Sequence, residues 1–309
     1  MKFRLSSNLL AKLSLAIRAA LACSFLWLGL PLAKALADDY VLESDLAEIQ
    51  WRTDYASAMT EAETRGRMLL VWFQNPNHAA SDAQFEARLL SDPGICRLIA
   101  ETVPLRLSVD TKLAVGGKET RLLDHPAFAE SLGKPGLAML DLTDPQSPQH
   151  RRVTSVYPFS KHYISMDKLH VLLSLPIGSL TQRTLIFAVR THPEGPASAI
   201  SDPSPLLFAE TANHSTHQAN IAVQGHHDWE HRFHAINARL PSGLIATEVC
   251  AESWPGQPLV DAAEECVHSW RQSSGHWNSV RARHALFGYD MKRGRNGIWY
   301  ATGIFARRR

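Results

Sequence analysis

The stretch SWRQSSGHW, residues 269–277, joins the end of an apolar-faced helix to a glycine turn and a histidine that is followed by a tryptophan. Two unusual segments precede it, GHHDW at 225–229 and EVCAESW at 248–254. A glycine- and aromatic-rich strand pattern follows, at 287–305. Histidine is a pH-switchable donor or acceptor and the commonest metal ligand in proteins. The histidines of these segments are therefore candidates for the chemistry of the C-terminal part.

The C-terminal part, residues 203–309, has the pattern of a small α/β domain. Apolar residues recur at helical spacing over 206–223 and over 259–272. Residues 286–290 and 298–305 alternate as strands do, and Gly294 and Gly297 lie in the turn between them. We expect an α-β-α sandwich of about 100 residues, the commonest domain size.

The order of these segments resembles the SCP-like domain of the CAP superfamily, particularly its bacterial branch. The resemblance implies a pocket whose first histidine is His226, after the small residue Gly225, with His227 as a near-equal alternative. It implies Glu248 as the pocket glutamate and His276 as the second histidine. The sequence departs from the family where a second acidic residue follows the helix tryptophan, and where an asparagine follows the glutamate.

Two imidazoles and one carboxylate facing a water-filled cleft can bind Zn²⁺ and leave a fourth position open. The same groups can instead bind a ligand by hydrogen bonds, or only satisfy one another, and the residues leave all three readings open. For a ligand, Trp254, Ser274 and Trp277 are the expected lining residues, because they abut the pocket segments. No catalytic residue is assigned, since Ser274 beside His276 has no identifiable acidic partner to complete a triad.

Residues 38–179 show a second α/β pattern, in which helices alternate with the strands of a mixed sheet. The apolar run MLLVWF at 68–73 suits a strand that is buried on both faces. This part resembles a thioredoxin-like domain. The loop that carries the two active cysteines in that family is here QNPNH, residues 74–78, with no cysteine, and Pro135 falls at the family's cis-proline position. Because thiol–disulfide exchange needs thiols, we predict no disulfide oxidoreductase activity.

The N-terminus has the features of an export signal. Basic residues precede an apolar stretch at 19–32, and ALA at 35–37 fits a cleavage site, so we predict a signal peptide over 1–37. The protein is then exported to the periplasm or the exterior. An uncleaved membrane anchor, or a lipid attached at Cys23, is the alternative. Between the two domains, the Pro-, Ser- and Ala-rich sequence within 180–202 predicts a linker. Residues 181–190 show no clear period and are expected as a short helix or strand that docks on the second domain.

Three cysteines remain after the signal. Export permits disulfides, and Cys250 and Cys266 lie in the same predicted domain, so we predict that they pair and that Cys96 stays free. Three reduced, buried cysteines are the alternative.

A formal net charge of +2 excludes the strongly basic footprint of a nucleic-acid-binding protein. Together these features predict an exported protein that binds a lipid, glycan, peptide or other small envelope ligand, with a divalent metal such as Zn²⁺ at the His/Glu pocket. Membrane contact is expected only through the signal or anchor segment. The alternatives are a metal-assisted hydrolase of peptide or cell-wall substrates and a structural envelope protein.

Overall fold

The computed structural model describes residues 49–115, 117–160 and 162–308. The predicted signal segment and Cys23 lie outside these ranges. From Ile49 onward the chain forms one compact unit. Among the residues described, every helix is too short or too polar to cross a membrane.

Two four-stranded sheets with flanking helices make this unit a mixed α/β structure. The strands of the first part are β1 (Leu69–Gln74), β2 (Val103–Ser108), β3 (Lys112–Val115), β4 (Lys118–Arg121), β5 (Gly136–Asp141) and β6 (Arg152–Pro158). The first sheet has the order β2-β1-β5-β6, in which only β1 and β2 are parallel. Strands β3 and β4 form a separate hairpin. The central strand β1 is apolar along almost its whole length because both of its faces are covered.

Four helices belong to the first part: α1 (Tyr55–Arg65), α2 (Ala79–Leu90), α3 (Pro93–Ala100) and α4 (Met166–Leu173). Local signals fix their ends. The Asp54 carboxylate caps α1 by accepting from the backbone N–H of Ser57, and Gly66 ends it with a φ of 57° that glycine adopts without strain. Asp92 caps α3 in the same way.

The second sheet is built from β7 (Asp202–Pro203), β8 (Leu244–Glu252), β9 (Leu286–Arg293) and β10 (Trp299–Arg308). Its order is β7-β9-β10-β8, so that β8 is an edge strand paired antiparallel to β10. The remaining helices are α5 (Leu180–Arg190), α6 (Pro205–Ile221), α7 (Trp229–Asn237), α8 (Leu259–Gln272) and α9 (Ser274–Arg281).

Helices cover both faces of the second sheet. Strand residues alternate between faces, so Phe305 joins the core that contains α5 and α8, whereas Ile304 and Ala306 pack with residues of α6 and α7. Helix α6 lies very close to β9 because Gly288 has no side chain, and a Cβ there would collide with the backbone of Leu207. This close packing positions the side chains of α6 over the sheet.

The segment 180–202, predicted as a linker, is ordered in the structure. Residues 180–190 form α5, whose buried residues pack against β6 of the first sheet and against α8 and β9 of the second part. The helix LTQRTLIFAVR is buried around its circumference over residues 183–189, where the polar Arg183 and Thr184 are buried together with apolar residues. The Ser-rich segment after it is also ordered, since the Ser198 hydroxyl bonds the Tyr289 hydroxyl at 2.7 Å. One apolar core extends through both parts of the described chain.

The predicted disulfide is wrong, because Cys96, Cys250 and Cys266 are all free, buried thiols. Cys266 on α8 belongs to the core on one face of the second sheet, whereas Cys250 projects from β8 to the other face. The sheet therefore separates the two sulfurs. The peptide bond before Pro135 is trans, as are all the peptide bonds of the described residues.

Candidate functional site

Three separate segments meet at the edge strand β8. Glu248 lies in the middle of β8, His226 in the loop between α6 and α7, and His276 in the first turn of α9. His226 Nδ1 lies 3.0 Å from Glu248 Oε1, and His226 Nε2 lies 3.3 Å from His276 Nε2. The structure thus brings together three of the residues predicted from the sequence.

The alternation of β8 explains the position of Glu248. Val249 and Ala251 face the core under α8, so Glu248 and Cys250 must face the side that α6 covers. The Glu248 side chain is only 1 % exposed, whereas that of His226 is 41 % exposed. The site therefore has a buried carboxylate and an accessible imidazole.

The loop that carries His226 is held by two side chains of α6. The helix ends at Ile221, and Ala222 then adopts a φ of 57°. Gln218 Oε1 accepts a hydrogen bond from the backbone N–H of Gly225 at 3.0 Å, and the carbonyl of Gly225 accepts one from His214 Nε2 at 2.9 Å. Both polar backbone groups of Gly225 are thus fixed, which directs the next residue towards β8.

Arg232 of α7 also contacts Glu248. Its Nη1 lies 2.6 Å from Oε2 and its Nη2 2.8 Å from Oε1, so that the guanidinium binds the carboxylate through two parallel hydrogen bonds. Sequence reasoning missed Arg232 and His214. No local motif marks either residue, since each acquires its role only when its helix packs on the sheet.

The charge of Glu248 follows from these contacts. Burial by itself would raise the pKa of Glu248, but hydrogen bonds from His226 and Arg232 hold this pKa below its ordinary value. An ionised carboxylate only accepts hydrogen bonds, so His226 Nδ1 must carry a proton. Burial, and then the neighbouring His226, lower the pKa of His276. At neutral pH the site therefore contains one carboxylate and a neutral His276.

A buried triad lies beside the site, in which ligand atoms of His214, Glu248 and Cys250 lie within 4.8 Å of one another. These groups do not fit a metal ion in this arrangement. His214 Nε2 is bonded to a carbonyl, so it is a donor, and both Glu248 oxygens accept from Arg232. Burial, and then Glu248, raise the pKa of the Cys250 thiol well above its usual range, which disfavours the thiolate that binds metals.

The two Nε2 atoms of His226 and His276 fit a metal better. Tetrahedral zinc with bonds of about 2.0–2.1 Å to nitrogen sets two such atoms about 3.3–3.4 Å apart, and the observed separation is 3.3 Å. Histidine ligands of metals usually donate their other ring N–H to a carboxylate or carbonyl, as His226 does to Glu248. This arrangement makes Glu248 a partner of His226 rather than a ligand.

The other candidate residues lie apart from this pair or differ from expectation. His227 Nε2 lies 3.2 Å from the carbonyl oxygen of Val223, so His226 is the histidine that meets Glu248. Trp277 is a core residue and not a groove residue: it is 5 % exposed and its indole N–H bonds Glu194. Gly275, predicted to lie in a turn, is in the first turn of helix α9, and Trp277 lies on the buried side of this helix. Trp254 is 66 % exposed and Ser274 is exposed.

Clefts occur elsewhere in the described chain. One of about 330 Å³ lies between the two parts, lined by residues such as Tyr157, Lys168 and Asp261. Another, of about 290 Å³, lies beside Asn75, His78 and Pro135. The His226–His276 pair lines neither of them and lies beside the edge strand β8.

Comparison with known proteins adds no relative: no protein-family model, no curated protein and no solved structure matches this chain.

Proposed function

We propose that this protein is an exported ligand-binding protein that holds a divalent metal, such as Zn²⁺, between His226 and His276. The separation of 3.3 Å between their Nε2 atoms, with Glu248 on the far nitrogen of His226, carries the proposal. When bound, the ion supplies a Lewis-acidic centre with open positions for a donor atom of an envelope ligand, such as a lipid, glycan or peptide.

The proposed fold is a thioredoxin-like domain without redox cysteines followed by an SCP-like CAP domain. The sheet order β2-β1-β5-β6, with α2 and α3 between the parallel strands, supports the first assignment. The second rests on the order of α6, the His226 loop, β8 with Glu248, α8, the His276 turn and the β9–β10 hairpin. Fold resemblance alone carries no activity, so the function rests on the site.

Isothermal titration of the full chain with ZnCl₂ tests the proposal. The protein should bind about one ion per chain, and His226→Ala or His276→Ala should weaken binding at least tenfold, because each removes one of two protein ligands. His234→Ala is the matched control, since His234 is an exposed histidine of the neighbouring helix α7. Unchanged affinity in both site variants would contradict the proposal.

A metal-assisted hydrolase of peptide or cell-wall substrates remains the second candidate. The Glu248–His226 pair has the form of an orienting carboxylate and a base, and the nucleophile of such an enzyme would be a metal-bound water. Hydrolysis that disappears on chelation would favour this candidate. A stable protein complex without either binding or hydrolysis would favour a structural envelope role.

A further inference from the structure

One side chain decides what Glu248 can do. We propose that Arg232 is a positioning residue that fixes Glu248 as the hydrogen-bond partner of His226 and prevents Glu248 from serving as a third metal ligand. This inference rests on the proposed function, because it assigns the ligands and the supporting residue of the same site.

The contacts of Arg232 support this role. Its two terminal nitrogens occupy both oxygens of Glu248, its Nε donates to the carbonyl of His227 at 3.0 Å, and its guanidinium lies 5.2 Å from the ring centre of Trp229. The planar fork of arginine matches a carboxylate in this bidentate way, whereas lysine offers a single charged point. Arg232 therefore ties together α7, the loop that carries His226, and β8.

The position of Glu248 relative to the imidazole completes the argument. Glu248 lies at Nδ1 of His226, and His276 lies at Nε2. The two ring nitrogens point in divergent directions, so an ion between the Nε2 atoms does not reach a carboxylate held at Nδ1. Because Arg232 keeps Glu248 in place as an acceptor, His226 keeps its proton on Nδ1 and turns the lone pair of Nε2 towards His276.

Arg232→Met tests the proposal, because methionine keeps an aliphatic stem against Trp229 but removes the fork. Arg232→Lys keeps the charge without the bidentate geometry. The matched control is Arg239→Met, which removes the ion pair of Arg239 with Glu210 just beyond the same helix. Each full-length variant is measured in two ways: the affinity for Zn²⁺ by calorimetry, and the imidazole ¹⁵N spectrum of the metal-free protein, which reports which nitrogen of His226 carries the proton.

We expect Arg232→Met to lower Zn²⁺ affinity by up to about 10- to 100-fold, the usual effect of losing an outer partner of a metal ligand, because Glu248 is no longer held against His226. The metal-free spectrum of His226 should change from the single Nδ1–H form to a mixture of both forms. Arg232→Lys should show a smaller change in Zn²⁺ affinity and in the His226 spectrum than Arg232→Met. Arg239→Met should leave the affinity and the spectrum unchanged. A purely structural role would lower stability without moving the proton on His226.

Two results would overturn the proposal. The first is an unchanged spectrum and affinity in Arg232→Met. The second is a lowered Zn²⁺ affinity with an unchanged His226 spectrum, which would mean that Arg232 acts through stability and not through the position of Glu248. If the parent protein binds no Zn²⁺, the proposed function fails, but the ¹⁵N spectrum still tests the role of Arg232. If Arg232→Met does not fold, Arg232→Lys carries the same comparison, with loss of the single Nδ1–H form as the expected result.

Discussion

Two loops of this molecule carry histidines in places where a family resemblance predicts a site, and they differ in what surrounds them. After β1, Asn75 caps its own turn, and the exposed His78 makes no side-chain hydrogen bond among the described residues. After α6, His226 meets a buried carboxylate and a second imidazole. The difference teaches that a site is marked by side chains that converge from separate segments, not by the position of a loop in a fold.

The largest expected effect is on stability at the second loop. Glu248→Ala leaves the largely buried Arg232 without its partner, so the free energy of unfolding should fall by about 3–5 kcal/mol. Urea unfolding measures this loss. Glu210→Ala, which breaks the more exposed pair with Arg239, should cost about 1 kcal/mol or less. Equal losses in the two variants would remove the distinction between a buried cluster and an ordinary surface pair.

The next effect concerns the core shared by the two parts of the chain that carry these loops. Arg183 of α5 is fully buried and donates to the carbonyls of Leu175 and Pro176 and to the Ser155 hydroxyl. Arg183→Ala leaves these acceptors unpaired, so we expect a loss of about 3 kcal/mol. Hydrogen exchange should show both sheets losing protection together. Loss confined to the first sheet would mean that the shared core does not couple the two parts.

A somewhat smaller effect is expected from pH. Burial lowers the pKa of His214 to about 4, partly offset by Glu248. The unfolded chain, with an ordinary pKa of about 6.5, then binds a proton more readily than the native protein. The stability from neutral His214 is therefore complete above about pH 6.5 and is lost as the pH falls towards 4, by roughly 2–3 kcal/mol.

His214→Asn should remove this component of the pH dependence of unfolding. His217→Asn, at an exposed position one turn further along α6, serves as the control and should leave the component intact. If His214→Asn still loses stability steeply between pH 6.5 and 4, the pH dependence belongs to another group.

The smallest expected signal belongs to the first loop. The wild-type protein should not reduce insulin disulfides above background, because no cysteine lies in residues 74–78. The double variant Asn75→Cys/His78→Cys places two thiols at the spacing C-x-x-C in that loop. Insulin reduction by this variant, but not by the wild type, would support the thioredoxin-like assignment. Insulin reduction by the wild type would contradict the prediction that the first loop has no oxidoreductase activity.

The sequence predicted those features that depend on nearby residues. The apolar run at 68–73 forms strand β1, and the predicted glycine turn joins β9 and β10. The site residues His226, Glu248 and His276 were predicted from the order of motifs along the chain. What the sequence left open depends on contacts across the molecule: residues 181–190 could be a short helix or a strand, because a helix buried on all sides does not separate a solvent face from a core face.

The positions of Arg232 and Cys250 within the site also depend on contacts between distant segments, which the sequence does not show. Nothing in the sequence near Arg232 indicates that α7 will bring it to β8, and the choice of which face Cys250 occupies depends on the register of the whole sheet. Residue types predicted which side chains could take part in a site, and the register of the sheet decided which of them meet.

The most direct test of the central claim is a crystal of the protein soaked with Zn²⁺ and an anomalous difference map recorded at the zinc edge. We predict one peak at about 2.0–2.1 Å from Nε2 of both His226 and His276, with Glu248 still bonded to His226 Nδ1 and Arg232. An ion bound instead by Glu248, His214 or Cys250, or no peak at the two histidines, would contradict the account.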